Sequence, residues 1–261
     1  MARMSPAPDE DELLTLHTMI TTRPYLAEIQ LKPSAPLDSP DFPFCLPLMR
    51  GLARLPLHPQ VTFLVGENGS GKSTLMEAIA VAMGFNAEGG SRNFNFSTRA
   101  SHSNLHEHLR LVRGVTRPRD GFFLRAESFY NVSSEVERRG VGVSYGDKSL
   151  HDQSHGEAFL SLFMNRFGRD SFYLLDDPEA ALSPQRQLAL LSRLHDLVEQ
   201  RSQFVIATHS PILMAYPNAI IYECGEHGIR AVAYEDTEHY RVTRDFLANP
   251  ARMLKILMGQ S

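Results

Sequence analysis

The chain has 261 residues, 43% of them hydrophobic, which is enough for one large domain with a sizeable core. Its formal net charge of −4 at pH 7 excludes the overall basic field that marks general nucleic-acid binders. Its 2 cysteines are too few for a disulfide framework or a cysteine zinc site. We find no stretch of about 18 apolar residues and no secretion signal, so we expect a soluble, cytoplasmic protein without membrane insertion.

The first quarter of the chain predicts a tail followed by strands. Residues 1–20 contain the Pro-rich, acidic segment "SPAPDEDE", which is typical of a mobile tail, and we expect residues 21–261 to form a single domain. "YLAEIQL" at 25–31 alternates apolar and polar residues as a half-buried strand does. "VTFLVG" at 61–66 is a short apolar run that predicts a buried strand. This buried strand leads directly into a glycine-rich loop.

The loop "GENGSGKST" at 66–74 matches the pattern G-x-x-x-x-G-K-[ST] between a predicted strand and a predicted helix that ends at Gly84. Glycines let the backbone wrap so that successive N–H groups point at phosphate oxygens, and the helix N-terminus adds positive charge. We therefore predict an ATP site in which Lys72 contacts the β- and γ-phosphates and Ser73 binds Mg²⁺. The predicted nucleotide-binding residues of this loop are Glu67, Asn68, Gly69, Ser70, Gly71, Lys72, Ser73 and Thr74.

Two further apolar segments end on polar residues. "SFYLLDD" ends on Asp176 and Asp177, and two buried carboxylates are costly unless a cation meets them. We predict that Asp176 binds Mg²⁺ and that Asp177 orients the attacking water. "QFVIATHSP" predicts a strand with His209 at its carboxyl end, where ligands bind in parallel α/β sheets. The predicted catalytic residues are therefore Asp177 and His209.

In this order the motifs resemble those of an ABC-type ATPase domain, over roughly residues 25–235. "GENGSGKST" resembles its Walker A, "FYLLDD" its Walker B, "PEAALS" its D-loop and "THS" its switch histidine. "SHGE", from Ser154 to Glu157, precedes Walker B where the family has its signature, and it also reads as a helix capping box. The resemblance implies that Ser154 and Gly156 contact ATP bound by a second copy, which gives an ATP-dependent homodimer.

The resemblance also implies the fold. We expect an α/β P-loop NTPase with an ABC-type core, a mostly parallel sheet, an N-terminal antiparallel edge and a small helical lobe at about 98–168. The motifs resemble most closely the soluble SMC, RecF and overcoming-lysogenization-defect branch. Unlike SMC proteins, the chain has no sustained heptads at 85–153.

Three positions depart from the family or extend its pattern. The chain has no glutamine between Gln60 and Gln153 to sense Mg²⁺, and Asn95 or Ser97 is the predicted substitute. Asp177 stands where the family has glutamate, and its carboxylate is set back by about 1.5 Å, so we expect slow hydrolysis. Glu179 is assigned to the D-loop and is predicted to face the dimer interface.

The sequence leaves alternatives open at two clusters and for the biological role. His102, His106 and His108 are either zinc ligands or structural, and the arginines within residues 99–125 form either a phosphate-binding or a solvated face. For the role, we expect a soluble ATPase switch or motor that acts on nucleic acid or on a partner protein in genome maintenance or defence. The alternatives are the ATPase subunit of a membrane transporter and a nucleotide-dependent interaction module with slow turnover.

Overall fold

The fold is described by a computed structural model over residues 24–91, 103–127 and 155–259. Short 3-10 helices lie at Pro47–Gly51, Asn104–His108 and Tyr234–Asp236. The strands and α-helices of this part of the chain are β1 (Leu26–Leu31), β2 (Arg54–Pro56), β3 (Val61–Val65), α1 (Lys72–Met83), β4 (Gly90–Ser91), β5 (Leu109–Arg113), β6 (Asp120–Arg125), α2 (His155–Arg166), β7 (Ser171–Asp176), α3 (Pro184–Glu199), β8 (Gln203–Ala207), α4 (Pro211–Met214), β9 (Ile220–Gly225), β10 (Gly228–Val232), α5 (Glu238–Ala248) and α6 (Pro250–Leu257).

The main sheet has seven strands in the order β10-β9-β3-β8-β7-β6-β4. The five central strands, from β9 to β6, pair in parallel, and one antiparallel strand lies at each end. Strand β8 lies between β3 and β7. The segments that follow these three parallel strands therefore meet at one edge of the sheet, which is where ligands bind in such sheets.

The central strands are buried on both faces. Every residue of β3, β7 and β8 is buried, as expected for parallel strands that helices cover on both sides. Successive side chains of a strand point to opposite faces of the sheet and pack in different hydrophobic clusters. Phe63 packs in the cluster that contains residues of α2 and α3, and Leu64 packs in the cluster that contains residues of α1. The continuous apolar runs of the sequence thus correspond to a two-sided core.

A second, antiparallel sheet has the order β2-β1-β5. Gln203, at the start of β8, joins it to the main sheet. The Gln203 Oε1 atom accepts hydrogen bonds from the backbone N–H groups of Tyr25 and Leu26, and Nε2 donates to the carbonyl oxygens of Leu26 and His58. This buried amide fixes the position of β1 relative to the main sheet.

The predicted α/β fold with a mostly parallel sheet and an antiparallel N-terminal part is confirmed. The segment 98–168 differs from the expected helical lobe, because residues 109–113 and 120–125 in it are strands. Strand β5 completes the small sheet, and β6 pairs with β7 in the main sheet. Their short runs, "LRLVR" and "DGFFLR", carry too little periodicity to reveal strands whose pairing partners are distant in sequence.

The predicted tail at 1–20 lies outside the described residues, and the division into this tail and a domain at 21–261 stays a prediction. Within the described part of the chain, no helix is long and apolar enough to span a lipid bilayer.

Candidate functional site

The glycine-rich loop connects β3 to α1 and contains three glycines with positive φ. The φ angles of Gly66, Gly69 and Gly71 are 137°, 82° and 105°. A Cβ atom on Gly66 would overlap the carbonyl oxygen of Cys224 in β9, so this position requires glycine. A Cβ atom on Gly69 would meet nothing within 4 Å, which leaves open space beside the loop. The backbone thus has the tight turn that a phosphate-binding loop requires.

The side chains of the loop differ in exposure. Glu67 and Asn68 are exposed, whereas Ser70 is buried, and its Oγ atom has no hydrogen-bond partner among the described residues. Thr74 is half-buried in the first turn of α1. A buried hydroxyl without a partner is unusual and is consistent with a ligand-binding position.

Lys72, the first residue of α1, lies across the loop with only 5% of its surface exposed. Its Nζ atom donates to the carbonyl oxygens of Gly66 at 2.7 Å and Glu67 at 3.0 Å. Burial lowers the pKa of Lys72, and the nearby charge of Asp177 opposes this shift. Neutral carbonyls are weaker partners for an ammonium group than phosphate oxygens are, so this lysine fits a phosphate ligand.

A hydrogen bond between Ser73 in α1 and Asp176 in β7 connects the helix to the strand. The Ser73 Oγ atom donates to Oδ1 of Asp176 at 3.1 Å. Burial and the charge of Asp177 raise the pKa of Asp176 to about 7, although Arg125 and the Ser73 hydrogen bond act against this rise. Adjacent hydroxyl and carboxylate oxygens match the ligands that Mg²⁺ prefers, so these two residues fit the predicted metal.

Asp177 follows β7 at a sharp turn of the chain. Its φ angle of 51° is left-handed, a conformation that aspartate tolerates better than most residues do. Its backbone N–H donates to the carbonyl oxygen of Ala207 at 3.0 Å. The Oδ1 atom is buried without a hydrogen-bond partner among the described residues. The turn therefore holds at the sheet edge a carboxylate with one oxygen that has no hydrogen-bond partner in the described part of the chain.

Glu179 points into this edge, and its predicted position at a dimer interface stays a prediction. Its Oε1 atom accepts from the backbone N–H of His209 at 2.5 Å, and its Oε2 atom is buried with no hydrogen-bond partner in the described residues. Burial raises its pKa. The turn after Asp177, in which the N–H of Ala180 donates to the carbonyl oxygen of Asp177 at 3.0 Å, places Glu179 in contact with His209.

His209 lies after β8, at the predicted edge. Its Nε2 atom is 3.9 Å from Oδ1 of Asp177, and its Nδ1 atom is 3.0 Å from Nε2 of His239. Burial, together with the charge of Lys72, lowers the pKa of His209, which favours the neutral ring. Sequence reasoning missed His239, because it lies 30 residues further along the chain and belongs to no recognisable motif.

Arg125 is the second site residue that sequence reasoning missed, because the sequence places it among the arginines of residues 99–125 and gives no sign that it differs from them. Its Nη1 atom lies 3.1 Å from Glu77 in α1, and its Nε atom lies 3.6 Å from Oδ2 of Asp176. Arg125 is aligned with Asp176 in the parallel pairing of β6 and β7. It therefore supplies positive charge beside the carboxylate predicted to bind Mg²⁺.

The signature-like segment is described only from His155, where α2 begins, so Ser154 lies outside the described residues. Gly156 is buried, and a Cβ atom there would overlap the carbonyl oxygen of Ala181 and approach the side chain of Arg186. Glu157 pairs with Arg186 at 3.1 Å. Gly156 thus permits close packing within the subunit, and its contact with ATP of a second copy stays a prediction.

The other predicted positions fall partly outside the description. Asn95, Ser97 and His102 lie there, so neither the substitute for glutamine nor the histidine cluster is tested. Among the described residues, no group of three or more histidines, cysteines or acids could hold a metal ion.

Residues 45–201 match the sequence model of the AAA domain family. The chain is similar to the SMC head domain from Thermotoga maritima (17% identity, TM-score 0.41, 80% of this chain and 98% of that chain covered). It is also similar to cbiO1 from Clostridium perfringens, part of the ABC transporter complex cbiONQ (17% identity, TM-score 0.48, 90% and 99% covered). No curated protein sequence matches it. The family match is consistent with the predicted P-loop ATPase of ABC type. Because it spans more than half of the sequence, the chain belongs to the AAA domain family.

Proposed function

We propose that the protein binds ATP with Mg²⁺ and hydrolyses it at the edge formed by the loops after β3, β7 and β8. The observation that carries this proposal is the 3.1 Å contact between Ser73 and Asp176, which joins the phosphate-binding loop to a buried carboxylate. When bound, Mg²⁺ would neutralise phosphate charge that develops during the reaction. Ser73 and Asp176 would hold the ion.

The other residues of this edge bind the phosphates and orient the attacking water. Lys72 exchanges its carbonyl partners for phosphate oxygens, and the loop N–H groups bind the same phosphates. Asp177 accepts a hydrogen bond from the attacking water and orients it, and His209 contacts the terminal phosphate. The positive charge of Arg125 favours the ionised form of Asp176 and opposes the rise in its pKa.

We further propose that ATP joins two copies of the chain and that the dimer acts as a switch on nucleic acid or on a partner protein. The segment "SHGE", at the start of α2, supports this proposal, because a helix N-terminus can bind the phosphate held by the other copy. A transporter subunit is the second candidate, but the glutamine that the resemblance leads us to expect is missing. The third candidate is an interaction module, which a turnover slowed by the shorter side chain of Asp177 would suit.

Nucleotide binding is tested by calorimetric titration of the full chain with ATP and Mg²⁺. Lys72→Ala should lower ATP affinity about 100-fold or more, because a buried charge opposite the phosphates is lost. Lys32→Ala is the matched control, since Lys32 also donates to a backbone carbonyl, that of Glu107 at 2.7 Å, and lies far from the loop in sequence. Equal ATP affinity in Lys72→Ala and in the unmodified chain would exclude the proposed phosphate site.

Dimer formation is tested by light scattering with and without ATP and Mg²⁺, in the Asp177→Asn background that should block hydrolysis. The mass should double with ATP. Ser154→Arg should prevent this doubling, whereas Ser192→Arg, at an exposed position of α3, should not. A mass that ATP leaves unchanged would refute the proposal that ATP joins two copies of the chain.

A further inference from the structure

The imidazole rings of His209 and His239 form a pair beside the candidate site. Their Nδ1 and Nε2 atoms are 3.0 Å apart, and the ring centroids are 5.1 Å apart. A nitrogen–nitrogen hydrogen bond needs one donor and one acceptor, and each neutral imidazole has one of each. The pair therefore links the proton position on one ring to that on the other.

His239 is held in place by the start of α5. The buried side chain of Thr237 accepts from the N–H of Tyr240 at 3.3 Å and donates to the carbonyl of Tyr234 at 2.8 Å. The N–H of Glu238 donates to the side chain of Glu223, in β9, at 3.3 Å. A capped helix end tied to the main sheet thus fixes the ring that contacts His209.

Two proton arrangements satisfy the contact between the rings. In the first, Nε2–H of His239 donates to Nδ1 of His209, so the His209 proton lies on Nε2, the atom 3.9 Å from Oδ1 of Asp177. In the second, Nδ1–H of His209 donates to His239, and the lone pair on Nε2 of His209 then faces the carboxylate. The second arrangement is electrostatically unfavourable at Asp177.

The outer nitrogen of His239 favours the same arrangement. Its Nδ1 atom is buried and has no hydrogen-bond partner among the described residues. In the first arrangement this nitrogen is an acceptor, and in the second it carries a proton. Buried N–H groups without a partner are rarer in proteins than unpaired acceptors are. The unpaired Nδ1 atom of His239 therefore also favours the first arrangement, in which it is an acceptor.

We infer that His239 is a positioning residue that holds His209 in the tautomer with its proton on Nε2, so that His209 presents a hydrogen-bond donor beside Asp177. This donor can serve the carboxylate of Asp177 or a phosphate oxygen of bound ATP. The inference deepens the proposed ATPase mechanism, and its consequence for turnover rests on that proposal. The proton position itself does not depend on it.

Long-range ¹H–¹⁵N NMR spectra of the histidine rings, recorded on the full chain without nucleotide, test the proton position. The signals of His209 are assigned by their loss in His209→Gln. We expect a single Nε2–H tautomer for His209 in the unmodified chain. His239→Glu, whose ionised carboxylate only accepts hydrogen bonds, should move the proton of His209 to Nδ1. His239→Gln, whose amide nitrogen can donate, should retain the Nε2–H tautomer.

ATP turnover gives the second readout. His239→Glu should lower kcat about 10-fold and leave KM within about twofold, because the donor acts chiefly after ATP has bound. His239→Gln should recover most of this loss. His195→Leu is the matched control and should leave kcat unchanged. It removes another histidine that is hydrogen-bonded to a side chain, because the Nδ1 atom of His195 is 3.1 Å from the Tyr216 hydroxyl.

Two NMR results would overturn the inferred proton position: an Nδ1–H tautomer of His209 in the unmodified chain, or a His209 tautomer that does not respond to His239→Glu. A kcat in His239→Glu equal to that of the unmodified chain would exclude the positioning role. Absence of ATPase activity in the unmodified chain would refute the proposed function instead, and the NMR result would still decide the proton position.

Discussion

Polar side chains lie beside both ends of strand β8, and their hydrogen-bond partners differ. At the amino end, Gln203 uses both lone pairs of its amide oxygen and both of its N–H bonds on backbone groups of the small sheet and of His58. Beside the carboxyl end lie Asp177 and Glu179, which follow β7 and contact Ala207 and His209, and each has a buried oxygen with no hydrogen-bond partner among the described residues. The first side chain thus has all of its partners within the protein, whereas the second group leaves carboxylate oxygens unpaired within the described residues.

This difference separates a stabilising group from candidate functional groups at opposite ends of β8, which is 5 residues long. A fully satisfied buried amide contributes to folding, because removing it leaves several backbone groups unpaired. Unpartnered carboxylates oppose folding, and proteins keep such groups where binding or catalysis needs them. Substitutions at the two ends should therefore have opposite effects on stability and on nucleotide chemistry.

The largest effect should be the loss of stability caused by a substitution at the amino end of β8. Gln203→Ala should lower the free energy of unfolding by about 4 kcal/mol, since it leaves two N–H groups and two carbonyls without their partner. Chemical denaturation measures this loss. Gln185→Ala, at an exposed position of α3, should change stability by less than about 0.5 kcal/mol. A loss below about 1 kcal/mol for Gln203→Ala would contradict the structural role of this end.

Asp176→Asn tests the metal-binding part of the carboxyl end. The amide lacks the negative charge that attracts Mg²⁺, so Mg²⁺-dependent ATP affinity should fall about 100-fold. Stability without ligand should not fall, because burial already disfavours the charge of Asp176. Calorimetric titration with and without Mg²⁺, together with denaturation, separates the two effects. An Mg²⁺ dependence like that of the unmodified chain would remove Asp176 from the metal site.

Asp177→Asn should cause a different failure at the neighbouring position. If Asp177 orients water, kcat should fall on the order of 30-fold while ATP affinity stays within about twofold. Asparagine adopts the left-handed conformation readily, so the fold should be retained. Phosphate release and ATP titration measure the two quantities. If the variant hydrolysed ATP as fast as the parent, the water-orienting carboxylate would be another group, and Glu179 is the nearest candidate by its burial in the same edge.

The parts of this site that the sequence predicts are those that local patterns specify. Backbone geometry and charge spacing in "GENGSGKST" are properties of 9 consecutive residues, and a buried apolar run ending on two acids indicates a cation wherever the strand lies. Three parallel strands with polar carboxyl ends then imply a common edge. Lys72, Asp176 and His209 lie at this edge as a result.

The parts that the sequence does not predict depend on how distant elements pair. Arg125 lies beside Asp176 because β6 and β7 pair in parallel with these two residues aligned, and a one-residue shift would turn the arginine away. Glu179 turns inward because Asp177 is left-handed, which no residue pattern indicates. His239 reaches His209 only after β9 and β10 have placed α5. Tertiary arrangement therefore decides all three positions.

The smallest effect should be that of Asp177→Glu, which restores the glutamate that the resemblance leads us to expect. The left-handed backbone at this position suits aspartate, whose short polar side chain bonds locally, better than glutamate. We expect a loss of about 0.5 to 1 kcal/mol in unfolding free energy, measured by chemical denaturation. We also expect kcat no higher than that of the parent, because the turn already sets the carboxylate at the sheet edge and a longer side chain would extend past it. Asp236→Glu, outside the site and at a position without left-handed φ, is the control for the added methylene. A kcat clearly above that of the parent would show that the short side chain limits turnover, and the turn at Asp177 would then not compensate for it.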